Sequence, residues 1–475
     1  MKPIKLKPIW AAVAAGVILS GCAMIPKYEQ PQVAVPQTFK YDVQEEEGQK
    51  IQTASIGWQD YFADPRLHQL IELALKQNTD LRKAALNAEA VRRQYMIARA
   101  DQLPGINASG NGSRGRSAAD LSGGVSTVSS AYKVGLGVTA YELDLFGRVR
   151  SNTEAALQSY FSSRAAQDAA QLALVAGVAK AYFNGLYAEN AMKLAQDVLA
   201  TRRDTYKLTQ LKHRAGVVSA LDLHRQEALI EAAKADYASA VQAKELAENA
   251  LALLINQPVP DNLEPALPLH KQFAVSKLPA GLASEVLLNR PDIRAAEFAL
   301  KQANADIGAA RAAFFPSISL TGTLGSGSTE LSGLFKGGNS TWAFMPVINL
   351  PIFNWGSMTA NLDAAKIRRQ IQVVNYEAAV QAAFRDISNA LVAREQLDKR
   401  YGSVQKQSKA HAHTLRLVQL RYKHGVSSAL DLLDAERSSY SADLALLSTQ
   451  LTRLENMADL YKALGGGLHR QTVQQ

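Results

Sequence analysis

The chain is written twice, and that limits its fold more than any local motif does. Leu208 to Glu227 recurs as Leu417 to Glu436 at a shift of 209. Eleven of the twenty positions are identical: Leu208, Gln210, Leu211, Gly216, Val217, Ser219, Ala220, Leu221, Asp222, Leu223 and Glu227. Nearer the start of each half, Asp80-Leu81-Arg82 answers Asp292-Ile293-Arg294, and Pro104 answers Pro316, at a shift of 212. Two copies of one structural unit are therefore expected, over 58–257 and 284–464. They are joined by 258–283, where Pro258, Pro260, Pro265, Pro268 and Pro279 mark a linker. Residues 465–475 form a short tail.

Proline is absent from 105–257 and from 352–475. Because Pro inside a helix costs about 3 kcal/mol, these are the stretches where long helices can run. Leu172, Val175, Ala179, Tyr182 and Leu186 keep a 3-4-3-4 spacing, as do Leu444, Leu447, Leu451, Leu454, Ala458 and Tyr461. That spacing predicts coiled-coil seams. An unbroken helix from about Ser151 to Arg214 would be roughly 95 Å long.

Between the helices the period drops to two, over about 104–146 and 316–351. Val134, Leu136, Val138 and Ala140 alternate with Gly135, Gly137, Thr139 and Tyr141; Ile318, Leu320 and Leu324 alternate with Ser317, Ser319, Thr321 and Thr323. Trp342, Phe344, Ile348 and Leu350 share a face of a further strand, and Ile106 and Ala108 open a weaker first one. Gly/Ser-rich segments at 115–130 and 325–340 read as the connecting loops. Alternation of this kind fits a half-buried soluble sheet or an outer-membrane strand facing lipid and lumen in turn. In the second case four strands cannot close a barrel, and an open edge in lipid leaves unpaired backbone groups. Two copies would give eight strands with a filled interior. Three would give twelve around a lumen, which the Gly, Ser, Thr and Asn of the polar face favour.

The N-terminus tips that balance toward the membrane. Lys2, Lys5 and Lys7 precede an uncharged run from Ile9 to Leu19, too short to span a bilayer comfortably and typical of a signal peptide over 1–21. It ends in Leu19-Ser20-Gly21-Cys22, and Cys22 is the only cysteine of the chain. The segment resembles a bacterial lipobox, which makes Cys22 the lipidation site. Ala23 after it implies sorting to the outer membrane, with 22–57 as a lipidated tether. A lone cysteine also excludes an intramolecular disulfide, a Cys-ligated zinc site and an iron–sulfur cluster. His411 and His413 stand two apart on a helix and face different directions, so no metal site is read, nor any cofactor or catalytic group. The formal charge of +9 without a long basic run gives no support to nucleic-acid binding.

Each repeat also carries the same helix-hairpin tip, Gly216-Val217-Val218-Ser219-Ala220-Leu221-Asp222 and Gly425-Val426-Ser427-Ser428-Ala429-Leu430-Asp431. Gly is expected as a left-handed C-cap, and Ser219 with Asp222 and Ser428 with Asp431 as capping boxes. Where the repeats differ, Asp434 and Arg437 replace Arg225 and Ala228, and Leu430, Asp434 and Arg437 are spaced to share one helix face.

Together these features resemble the TolC/OprM family of outer-membrane efflux channels, in its lipoprotein branch. The likeness extends to Glu142-Leu143-Asp144-Leu145-Phe146-Gly147-Arg148, Arg290-Pro291-Asp292-Ile293, the run from Gly308 to Ile318, and the run from Leu460 to Gly467. It implies a mainly α chain with membrane β strands. Three copies would share a twelve-stranded β-barrel continued by a long coiled-coil α-helical barrel in the periplasm. It implies a homotrimer held in outer-membrane lipid. Its partners would be a periplasmic adaptor protein and an inner-membrane proton-driven transporter of the RND type, with the chain as exit duct for drugs. A duct for type I protein secretion is the alternative. The resemblance further implies adaptor docking at Gly216, Val217, Ser219, Leu221, Asp222, Gly425, Val426, Ser428, Leu430 and Asp431. It implies a periplasmic gate at Leu430, Asp434 and Arg437.

Overall fold

The computed structural model describes residues 24–41, 53–121, 123–275, 278 and 287–472. The segment expected as a signal peptide and Cys22 lie outside them. Its main helices are α1 (Pro65–Gln77), α2 (Thr79–Ala100), α3 (Arg148–Arg214), α4 (Ala220–Ile255), α5 (Pro291–Ala312), α6 (Ser357–Lys423) and α7 (Ala429–Ala463). Its strands are β1 (Ile106–Ser117), β2 (Thr127–Leu143), β3 (Ser317–Ser328) and β4 (Ser340–Asn349). Helix–strand–strand–helix–helix thus occurs twice. The chain divides into two compact units.

The first unit, Met1–Gln32, Asn87–Arg164 and Ala295–Glu377, contains the sheet. All neighbouring strands are antiparallel, in the order β1-β2-β3-β4. Register puts Leu136 opposite Ala108 and Leu324, and Leu324 opposite Trp342. Directly opposed residues share a face, so Ile106, Val138, Leu136, Leu324, Trp342, Phe344 and Ile348 form one apolar side. The other side carries Asn107, Ser109, Gly135, Gly137, Thr323 and Ala343. The apolar side is uncovered: Leu324 is 68% exposed and Trp342 78%. The register slips once, between Val138 and Tyr141, where Ala140 takes φ 52° and donates its N–H to Thr321 Oγ1 at 3.1 Å. Such a bulge bends and twists a strand, and it carries Tyr141, expected on the polar side, opposite Leu320 on the apolar one.

The loops are shorter than the Gly/Ser content predicted. Gly115 and Ser129 still pair in the ladder, as do Gly325 with Gly135 and Ser326 with Val134. Small polar residues add no side-chain packing, but their backbone groups pair as well as any. The segment expected as a tether is extended from Met24 onward and is strapped down. Asn304 of α5 donates to the Pro26 carbonyl at 2.7 Å, Tyr28 donates to Glu297 at 3.3 Å, and Gln30 donates to the Tyr376 hydroxyl at 2.8 Å. A side chain at Gly308 would collide with Ile25, so the small residue lets the strap lie close.

The second unit, Val33–Leu86, Ala165–Arg294 and Ala378–Gln475, is helical. Tyr61, Phe62, Phe183, Phe273 and Tyr461 form its aromatic centre; Tyr61 stacks on Tyr461 with ring centroids 4.1 Å apart. Burying each such ring contributes roughly 1.5–3 kcal/mol. Both phenols keep a partner, Tyr61 donating to the Met457 carbonyl at 2.9 Å and Tyr461 to that of Ile56 at 2.6 Å. Leu172, Val175, Ala179, Tyr182 and Leu186 are all buried, as their spacing predicted. The second heptad run is buried from Leu454 to Tyr461 but only half-buried at Leu444, Leu447 and Leu451.

Asp64, fully buried, caps α1 and draws distant segments together. It accepts from Arg66 N at 2.9 Å, the Tyr182 hydroxyl at 2.6 Å, Leu267 N at 2.9 Å and Gln272 Nε2 at 3.1 Å. Asp64→Ala is expected to lower stability by about 2–4 kcal/mol in chemical denaturation, since it removes a cap and takes the acceptor from the Tyr182 hydroxyl and the Leu267 N–H. Asp64→Asn, which keeps one acceptor oxygen, should lose less. Equal midpoints for wild type and Asp64→Ala would refute this role.

Candidate functional site: the hairpin tips and the face of α7

Both tips close by one mechanism. Gly216 and Gly425 each adopt φ 72°, in the left-handed region that favours glycine. At the first tip Gly216 N donates to His213 O at 2.9 Å and Val217 N to Lys212 O at 2.9 Å. At the second, Gly425 N donates to Tyr422 O at 3.1 Å and Val426 N to Arg421 O at 2.8 Å. These are Schellman closures, which satisfy the last carbonyls of α3 and α6.

The returning helices are capped differently. Ser428 Oγ accepts from Asp431 N at 3.1 Å, and the Asp431 carboxylate accepts from Ser428 N at 2.9 Å, a complete capping box. The bonds from the Ser428 backbone and hydroxyl hold the Asp431 carboxyl below its usual range. At the first tip Ser219 Oγ accepts from Asp222 N at 3.2 Å, but the Asp222 carboxylate takes the Ser219 hydroxyl instead, at 2.8 Å. The expected box is therefore half formed there. Val217, Leu221, Val426 and Leu430 are left 59–70% exposed. Each tip thus displays a valine and a leucine beside a satisfied backbone.

Leu430, Asp434 and Arg437 share one face of α7, as their spacing predicted. Arg437 pairs with Asp434 at 2.9 Å, both side chains mostly in solvent. With Leu433 and Tyr440 they line one wall of a groove of about 590 Å³. Its other wall is Val198 and Arg202 of α3 and Arg225, Leu229 and Asp236 of α4. Charges of both signs therefore face one another across apolar walls.

Sequence reasoning missed the partner of the residue just before Arg437. Glu436 points off the face shared by Leu430, Asp434 and Arg437 and meets Arg202 of α3 at 2.5 Å, with 7% and 8% of the two side chains exposed. The approach is close but poorly angled, since Arg202 Nη1 and Glu436 Oε2 each lack a well-formed hydrogen bond. Burial pushes the Glu436 carboxyl up, against the pull of Arg202. The available signal was the identity of Glu227 and Glu436 in the two repeats; nothing in the local sequence singled out Arg202. Among the described residues no group of three or more His, Cys, Asp and Glu could hold a metal ion, and no helix is long and apolar enough to cross a membrane.

The family model for outer membrane efflux proteins matches residues 70–257 and 282–466. The chain is 43% identical over 473 residues to the probable efflux pump outer membrane protein TtgC of Pseudomonas putida, covering 98% of this chain and 97% of that protein. It is 38% identical to the cation efflux system protein CusC of Escherichia coli, covering 98% and 100%. The crystal structure of the open state of the Neisseria gonorrhoeae MtrE outer membrane channel superposes with a TM-score of 0.89 at 63% identity, over 95% of this chain and 100% of that one. Twofold matching of the model, near-complete coverage and the shared fold lead to one assignment: the chain belongs to the outer membrane efflux protein family.

Proposed function

We propose that three copies of the chain form the outer-membrane exit duct of a tripartite drug efflux pump. The observation that carries this reading is the four-stranded sheet. Among the described residues β1 and β4 each pair on one edge only, and one face carries an uncovered apolar band that runs through Ile106, Leu136, Leu324 and Trp342. In lipid, unpaired edges must be closed, and β4 of one copy against β1 of the next closes them in a twelve-stranded ring. The small polar side chains of the opposite face then line a wet lumen. Cys22 carries the lipid anchor, and the strap from Met24 to Gln30 holds that anchor to the sheet-bearing unit. A periplasmic adaptor docks on the tips through Val217, Leu221, Val426 and Leu430, and an inner-membrane RND transporter drives export. Leu430, Asp434 and Arg437 form the periplasmic gate.

The test is direct. Purified protein should insert into planar bilayers with steady ohmic conductance, and its intact mass should begin at an acylated Cys22. Deletion should sensitise cells to drugs without loss of any secreted protein. No conductance from correctly folded protein would overturn the duct. Loss of a secreted protein with unchanged drug tolerance would turn the reading to protein secretion.

The docking assignment is tested separately. A side chain built on Gly216 or Gly425 meets nothing within 4 Å. Gly425→Asn, which tolerates positive φ, paired with Val426→Trp at the exposed tip should therefore reduce adaptor crosslinking at least tenfold while oligomers persist. Unchanged crosslinking would remove the tips from the docking surface.

A further inference from the structure

The two long helices α3 and α6 have 67 residues each, and both of their ends are offset by 209. The returning helices α4 and α7 also start 209 apart. Position-by-position equivalence therefore holds along the whole hairpin. Within the chain the first helix of repeat one, α3, lies against the second helix of repeat two, α7. Two ion pairs join them: the buried Arg202–Glu436 pair, and Lys180–Asp459 at 2.9 Å.

Applying the shift to this seam pairs α6 with α4, Arg202 becoming His411 and Glu436 becoming Glu227. Lys180 and Asp459 become Asn389 and Ala250. Among the described residues no ion pair joins α4 to α6 within the chain. Glu227 leaves its side chain 56% exposed, its polar partner being His224 one turn earlier at 3.1 Å. In a ring of copies the helices succeed one another as α4, α3, α7, α6 and then α4 of the next copy. The equivalent seam is thus one that only a second copy can complete.

We propose that Glu227 of each copy meets His411 of the next copy as the counterpart of the buried Arg202–Glu436 pair, and that this seam between copies is the one that parts when the duct widens. The proposal rests on the ring of copies set out above. Its chemistry lies in the substitutions. Arginine holds its charge at every working pH, whereas histidine is charged only when protonated. The second rung has no charge at all. One chain therefore holds its own two hairpins together by fixed charges, and the joint between chains has the weaker fastening. Motion follows the weaker joint, as a ligand favouring the wide form needs little differential affinity to separate it.

The test uses full-length protein in detergent. An Arg–Glu separation exceeds what a disulfide can bridge, so a short bis-maleimide is used on double-cysteine variants. E227C/H411C is expected to give covalent dimers and trimers, absent from the single variants, whereas R202C/E436C should give only internally crosslinked monomer. Native mass spectrometry of the wild type separates the two ways of failing. A count other than three overturns the ring itself. Three copies without E227C/H411C products overturns the seam assignment alone. As a second measurement, His411→Arg restores a fixed charge and should lower open-state occupancy in planar bilayers at least twofold, and adding Glu227→Gln should reverse that. Occupancy equal to wild type in His411→Arg would refute the parting seam.

Discussion

Changing Asp434→Ala together with Arg437→Ala is expected to raise single-channel conductance severalfold and to admit large antibiotics such as vancomycin, with little loss of stability. The pair sits at 2.9 Å with side chains 64% and 80% exposed. A surface pair at this spacing is worth only a few tenths of a kcal/mol to its own helix. In the proposed gate, however, Asp434 would form a ring of three carboxylates about the three-fold axis. Like charges crowded there repel unless a cation stands among them, and Arg437, paired with Asp434, would be that cation. Removing both would leave Leu430 alone to obstruct the opening. The next residue back gives the opposite signature. Glu436→Ala leaves Arg202 buried without its partner, which typically costs about 3–5 kcal/mol, so that variant should unfold early. Conductance and melting curves measured on both variants decide the matter. If the double variant conducts as wild type does and excludes vancomycin, Asp434 and Arg437 are surface charges and the gate lies elsewhere.

Leu136→Arg is expected to abolish assembly in the membrane, whereas Thr323→Arg, on the neighbouring strand, should assemble and merely narrow the channel. Leu136 lies on the apolar side, between Ala108 and Leu324. An arginine facing lipid at mid-depth costs about 2–4 kcal/mol, and three copies would each carry that cost. Thr323 points to the other side, between Gly137 and Ala343, where a long side chain meets small neighbours and water. Heat-resistant oligomers on gels and bilayer conductance read the two outcomes. Comparable loss of oligomers in both variants would show that the sheet does not have one lipid face and one lumen face.

Much of this was legible along the chain. The repeat at 209, the heptads and the period-two runs foretold the order of helices and strands, and the Gly-Val-x-Ser-Ala-Leu-Asp runs marked both hairpin tips. These features are local or periodic, so neighbouring residues carry enough information to state them. Strand ends were less legible, because Gly115 and Ser326 look like loop residues until a partner strand supplies their hydrogen bonds. The strap from Met24 to Gln30 was illegible for a related reason. An extended segment has no internal bonds to announce it, and its partners, Glu297, Asn304 and Tyr376, lie far along the sequence.

The sequence by itself determined the twofold plan, the tip chemistry and the face that Leu430, Asp434 and Arg437 share. Each follows from the backbone's own periods and from the preference of Gly and Ser for helix ends. The tertiary structure alone decided that Glu436 turns inward to Arg202 while Arg437 turns outward to Asp434. Which of two adjacent charges is buried depends on where α3 lies beside α7, and no period in either helix encodes that. Likewise the grip on Asp64 joins residues 64, 182, 267 and 272, a convergence that exists only once packing has brought three separate segments to one carboxylate.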